Sequence, residues 1–185
     1  MKKIAVLGVG NILELDDGIA IYATKYLEKN YTFTPNIDII NGGVEGINLL
    51  NLFMEYDYIL ILDAIEIDDT PGAIYHIPSH KLTGYGLNSG GAHEIGVLQC
   101  FDILELMGKE LPESSVLGIV PAKIDVTIGL SQEMTKQFDT YIEKLIEIVQ
   151  GLGIEVAKKT KGITLEEIIK EFKDPKSYFR FSTLS

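Results

Sequence analysis

Arginine occurs once in the 185 residues, as Arg180, and cysteine once, as Cys100. A single guanidinium leaves almost no material for bidentate phosphate recognition. Basic residues of any kind are scarce: 27 acidic side chains face 16 basic ones, for a formal charge of −11. Such a field repels nucleic-acid backbones and anionic lipid heads, so neither is expected as a partner. One thiol excludes an intrachain disulfide and a cysteine metal cage. No apolar run approaches the roughly 20 residues that a membrane span needs. The opening MKKIAVLGVG carries two lysines and an apolar run, but the run stops short of the roughly 7–15 residues of a secretory signal. A cytoplasmic protein is the expectation. Low-complexity segments and internal repeats are also missing.

Against these absences, hydrophobic residues make up 46% of the chain, enough to bury the core of one domain. Ile4-Ala5-Val6-Leu7 is a short continuous apolar run, as expected of a buried parallel strand. Ile19, Tyr22, Ala23, Tyr26 and Leu27 then recur at helical spacing. A second strand is expected over Ile37–Ile40, closed by Asn41-Gly42-Gly43, and a helix through Ile47, Leu50 and Phe53. Tyr58–Leu62 is the strongest strand and ends at Asp63. This alternation predicts an α/β fold with a mostly parallel sheet. An extra strand is expected over Ala73–Ile77. Residues 79–92, rich in Gly, Ser and Asn, read as a long loop with His93 at its far end. Val97, Cys100, Phe101, Leu104 and Met107 form the next helical stripe, which makes Cys100 a core residue. Val116–Val120 reads as a strand stopped by Pro121. Met134, Phe138, Tyr141, Leu145, Ile148 and Leu152 mark a long helix capped by Ser131 and stopped at Gly151 or Gly153. Thr164 and Glu167 have capping-box spacing ahead of Leu165, Ile168, Ile169 and Phe172.

The turn Gly8-Val9-Gly10-Asn11-Ile12-Leu13 invites comparison with the dinucleotide fingerprint Gly-x-Gly-x-x-Gly, but Leu13 stands where the third glycine belongs. Glu14, Asp16 and Asp17 crowd the start of the next helix, where a pyrophosphate would otherwise sit. Three carboxylates oppose an anion there. They suit a cation, or serve the helix as acidic first-turn residues.

Asp63 follows a buried strand, and the carboxyl ends of parallel strands form the crevice where ligands bind. Asp17 leaves the same edge if the first and third strands are parallel. With His93 this makes two carboxylates and one imidazole, donors that suit borderline divalent metals such as zinc, nickel or iron. The plainer reading keeps each as a cap or surface residue, which is also how His76 and His80 read. A Ser89–His93–Asp63 triad is a further arrangement on paper, without the Gly-x-Ser-x-Gly elbow around Ser89.

Taken in order, these segments resemble one family, the maturation proteases of nickel–iron hydrogenases. The resemblance is carried by Leu7–Leu13 with Asp16-Asp17-Gly18, by Asn41-Gly42-Gly43, by Asp63-Ala64, by His93-Glu94-Ile95-Gly96 and by Gly118–Pro121. It covers about residues 3 to 157. It implies a three-layer α/β fold with a twisted, mostly parallel sheet flanked by helices. It implies an aspartic-type endopeptidase that removes a C-terminal extension from the hydrogenase large-subunit precursor after nickel insertion. The family's proposed metal contacts fall on Asp17, Asp63 and His93, which are therefore the expected catalytic and metal-binding set. Nickel is expected to arrive on the substrate, with zinc or another divalent metal as a substitute. The first-loop acid is often glutamate in relatives, so Asp17 is one methylene shorter and Asp16 is an alternative ligand. Val44 stands where relatives often have threonine.

The expected partner is the large-subunit precursor, and the expected state a monomer. Residues 1–160 are expected to form the protease-like domain. Residues 161–185 are expected to form an appended helical tail, docked on the domain or on a partner, to which the resemblance assigns nothing. Three rival readings remain open from the sequence. They are a nucleotide-binding α/β domain, a same-fold peptidase with another protein substrate, and a docking protein whose tail helix makes the contact.

Overall fold

The computed structural model describes residues 1–44, 49–81, 97–174 and 176. In chain order the elements are β1 (Ile4–Val9), a 3-10 turn (Leu15–Gly18), α1 (Ile19–Asn30), β2 (Tyr31–Thr34), β3 (Asp38–Gly43) and α2 (Leu50–Phe53). They continue with β4 (Tyr58–Ala64), β5 (Ile74–Pro78), a 3-10 turn (Ser79–Lys81), α3 (Val97–Leu106), β6 (Glu113–Ile119), α4 (Gln132–Gly151), β7 (Glu155–Lys158) and α5 (Leu165–Lys173).

The main sheet has the order β3-β1-β4-β6-β5. β1 pairs in parallel with β3 and β4, and β4 with β6, while β5 closes the edge antiparallel to β6. Every residue of β1 is buried, and so are Ile59–Leu62 of β4. These strands are covered on both faces, which is why they read as unbroken apolar runs rather than alternating ones. Side chains of alternate parity feed two cores. Val6, Leu60, Leu62, Leu117 and Ile119 meet Tyr22, Phe138, Tyr141 and Leu145 of α1 and α4. Leu7, Ile59, Ile61 and Val116 meet Phe53 of α2 and Cys100, Phe101 and Leu104 of α3. The result is the expected three-layer arrangement.

Two strands escaped the sequence reading. β2 and β7 pair antiparallel, Tyr31 opposite Lys158 through Thr34 opposite Glu155, as a separate two-stranded ribbon. The capping predictions hold where they are described. Ser131 caps α4, accepting from the Met134 amide at 3.2 Å, and Thr164 and Glu167 form a complete capping box on α5. The tail helix docks on the domain. Ile168 is fully buried in the α1/α4 core, and Phe172 meets Tyr22 edge-on at 5.5 Å between centroids. Among the described residues no helix is long and apolar enough to cross a membrane.

Candidate functional site

The strand order reverses between β1 and β4. After β1 the chain crosses to α1 on one face and returns as β3. After β4 it proceeds the other way, through edge strand β5 to α3 on the opposite face and then β6. The loops leaving the carboxyl ends of β1 and β4 therefore diverge, and open parallel sheets place their ligand crevice at such a switch point. Asp17 stands in the loop after β1, and Asp63 is the penultimate residue of β4. Both predicted carboxylates lie on this one rim.

The glycines of the first loop serve packing. A Cβ on Gly8 would lie 2.8 Å from the Ala20 carbonyl oxygen, so glycine lets α1 close onto β1. Gly10 has φ +142°, and a Cβ there would fall 2.0 Å from the Asp17 carbonyl oxygen. The amides of the turn are spoken for. Gly10 N–H donates to Gly43 O at 2.9 Å, Asn11 N–H to Asp17 Oδ2 at 2.8 Å, and Leu13 N–H to Asn11 Oδ1 at 3.0 Å. Those of Glu14, Leu15 and Asp17 donate to Asn11, Thr127 and Glu14 carbonyls. A phosphate-binding turn needs such N–H groups aimed outward. This one spends them internally, against the nucleotide reading.

Asp16 and Asp17 have separate tasks. Asp16 is fully buried, and its carboxylate accepts three backbone N–H groups from the β6–α4 connection. Ala122 and Lys123 donate to Oδ2 at 3.0 and 2.9 Å, and Ser131 to Oδ1 at 2.7 Å. A carboxylate held this way is an anchor for the start of α4 and not an available ligand. The sequence kept Asp16 open as an alternative to Asp17; the geometry engages the Asp16 carboxylate with three amides, while Asp17 is half-buried and accepts the Asn11 amide. Just before them, Leu15 adopts φ +54°, a left-handed conformation that L side chains rarely take. Its amide is pinned to Thr127 O at 2.9 Å.

Asp63 pairs in register with Gly118 and has the parity of Ile59 and Ile61, so it lies on the α2/α3 face. Its Oδ1 atom is buried. Beneath it, Tyr141 of α4 is fully buried, donates from Oη to the Leu117 carbonyl at 2.7 Å and faces the Asp63 backbone. Burial, and then the charge of Asp63, push its phenol well above the ordinary 10, so it stays a donor. Tyr141 was legible only as one member of a helical stripe. Its hydroxyl braces β4 and β6 where Asp63 emerges.

His93 and Ser89 lie outside the described residues, as do Glu94–Gly96. α3 feeds β6 from its amino end, so it runs back along the sheet and its first residue, Val97, starts near the carboxyl rim. His93 precedes it by four positions. Among the described residues no group of three His, Cys, Asp or Glu side chains is placed to hold a metal. His76 lies elsewhere, on edge strand β5, with Nε2 2.8 Å from Ser115 Oγ.

Fold and rim together define an open, mostly parallel α/β protein with two carboxylates at the rim of its switch point. The hydrogenase maturation protease (HycI) family model matches residues 21–148, well over half of the chain, including Asp63 and the position of His93. The chain belongs to the hydrogenase maturation protease family, and it is a protease. The hydrogenase 2 maturation protease of Escherichia coli K12 is 26% identical over 154 residues, covering 83% of this chain and 94% of that protein. The HupD hydrogenase expression/formation protein of Rhizobium leguminosarum is 24% identical over 180 residues, covering 96% and 89%. Among solved structures, the E. coli hydrogenase maturating endopeptidase HybD superposes with a TM-score of 0.78 at 24% identity, over 85% of this chain and 98% of that one. Its likeness supports the three-layer fold. HybD from Thermococcus kodakarensis gives 0.63 at 23% identity, over 80% and 99%.

Proposed function

We propose that the protein removes a C-terminal extension from a nickel–iron hydrogenase large-subunit precursor once nickel has been inserted. Asp17, Asp63 and His93 read the nickel that the precursor carries. The observation that carries this reading is the placement of two carboxylates on one rim at the β1/β4 switch point, one of them with a buried oxygen. Two carboxylates close together repel unless a cation joins them. Two oxygens and one imidazole leave coordination positions for ligands that the substrate brings, and borderline divalent ions accept that mixture. Specificity then follows from charge: a rim of this sign gains little from a metal-free precursor and much from a loaded one.

The test is incubation with a purified large-subunit precursor, with and without nickel, read by intact mass. A fixed C-terminal loss is expected only in the nickel sample. Asp17→Ala, Asp63→Ala and His93→Ala are each expected to slow processing by about 100-fold or more. Normal turnover by the two aspartate variants overturns the assignment.

A further inference from the structure

Among the described residues, four large aliphatic side chains stand exposed around the carboxyl rim: Leu13 (50%), Val44 (54%), Ile124 (42%) and Val126 (89%). Water-facing Val and Ile are ordinary when scattered singly. These are joined by backbone bonds. Glu14 and Thr127 form a parallel bridge, and Leu13 and Val126 are the residues immediately before that pair, so the two segments meet next to them. Ile124 lies two positions upstream, and Val44 follows Gly43, whose carbonyl holds the Gly10 amide.

The segment bearing Ile124 and Val126 is also fastened at several points. The Asp16 carboxylate takes the Ala122, Lys123 and Ser131 amides, Leu15 N–H reaches Thr127 O, and Asp16 N–H reaches Lys123 O at 3.4 Å. Its charged neighbours neutralise each other, Lys123 Nζ standing 2.9 Å from Asp125 Oδ2. A loop so tied, with its aliphatic side chains left outside, has its ordering entropy settled before any partner arrives.

We infer that Leu13, Ile124 and Val126 form the surface on which the polypeptide of the protein substrate seats, through an uncharged apolar stretch beside its scissile bond. This rests on the proposed site at the same rim. The occupant follows from two facts: a protease's substrate is a polypeptide, and this surface is continuous with the turn that carries Asp17. Apolar side chains with paired charges between them select an apolar segment over an acidic or basic one.

The experiment measures initial processing rates of the nickel-loaded precursor against its concentration, with full-length variants. Ile124→Asp and Val126→Asp are expected to raise KM by about tenfold or more with kcat near wild type. The exposure of Val126 leaves the urea midpoint of Val126→Asp in place, and Ile124→Asp is compared in the absence of urea, its fold checked by its own midpoint. Val126→Ile is expected to keep the wild-type KM. Leu106→Asp is the control, since Leu106 is 88% exposed at the end of α3 that leads to the opposite rim. An unchanged KM in both aspartate variants overturns the inference, and so does an equal rise in Leu106→Asp. Raised KM in the aspartate variants alongside full activity in Asp17→Ala keeps the docking surface and discards the metal-reading site.

Discussion

The carboxylate of Asp16 meets the Ala122, Lys123 and Ser131 amides, while that of its neighbour Asp17 accepts the Asn11 amide, six residues back. Nothing in two adjacent aspartates marks which one folds inward, because the partners of Asp16 lie more than 100 residues away in sequence. The physical difference is measurable. Asp16→Ala leaves three partly buried N–H groups without this acceptor, and a loss of about 2–4 kcal/mol is expected in urea unfolding. Asp16→Asn keeps one accepting oxygen and should lose less. An Asp16→Ala variant with the wild-type midpoint would show that the bonds are dispensable. Asp17→Ala gives up the Asn11 bond at a half-buried site, and a cost of about 1–2 kcal/mol is expected, well short of unfolding the domain. Loss of processing in that variant therefore reports on the site rather than on unfolding.

At the scale of elements, legibility followed burial. β1 and β4 were plain in the sequence because both faces of each are covered, so apolar residues run without interruption. β2 alternates half-buried and exposed side chains, β7 is exposed except at Val156, and their pairing joins residues 31–34 to 155–158. No local pattern announces a ribbon formed across that distance. The rim itself was foreseeable once the sheet was known to be parallel, yet the strand order that makes β1/β4 the switch point is a property of the assembled sheet. Edge strand β5 adds a titratable tie. His76 Nε2 sits 2.8 Å from Ser115 Oγ, which also lies 2.6 Å from Tyr58 Oη. Burial, and then the nearby Lys144 charge, hold the imidazole below its ordinary 6.5. As pH falls, the unfolded chain therefore takes up the proton first. The tie is fully effective above about pH 6.5 and fades as pH drops from there through the folded value. Urea midpoints measured at pH 7 and pH 5 should fall more for the wild type than for His76→Gln. Equal falls would remove His76 from the pH response.

At the scale of the molecule, the chain after α4 closes the α1 side of the domain. The Asn30 side chain grips Ile163 twice, donating from Nδ2 to its carbonyl at 3.1 Å and accepting its amide on Oδ1 at 3.0 Å. α5 then lowers Ile168 into the core formed by α1, α4 and the sheet, and lays Phe172 on Tyr22. α1 begins two residues after Asp17, so the helix that the tail covers is the one that directly follows the first carboxylate. Removing residues 161–185 strips a fully buried isoleucine and an aromatic contact from that helix. Ile168→Ala alone is expected to cost about 2–4 kcal/mol. The truncated chain should lose more and should unfold in one transition at a lower urea concentration, because the deleted contacts belong to the main core. If the tail were only a docking arm for another protein, truncation would leave both the midpoint and the processing rate unchanged. Because Tyr22 lies on the same helix face that seats against β1 and β4, a drop in processing rate at urea-free conditions should accompany the lower midpoint.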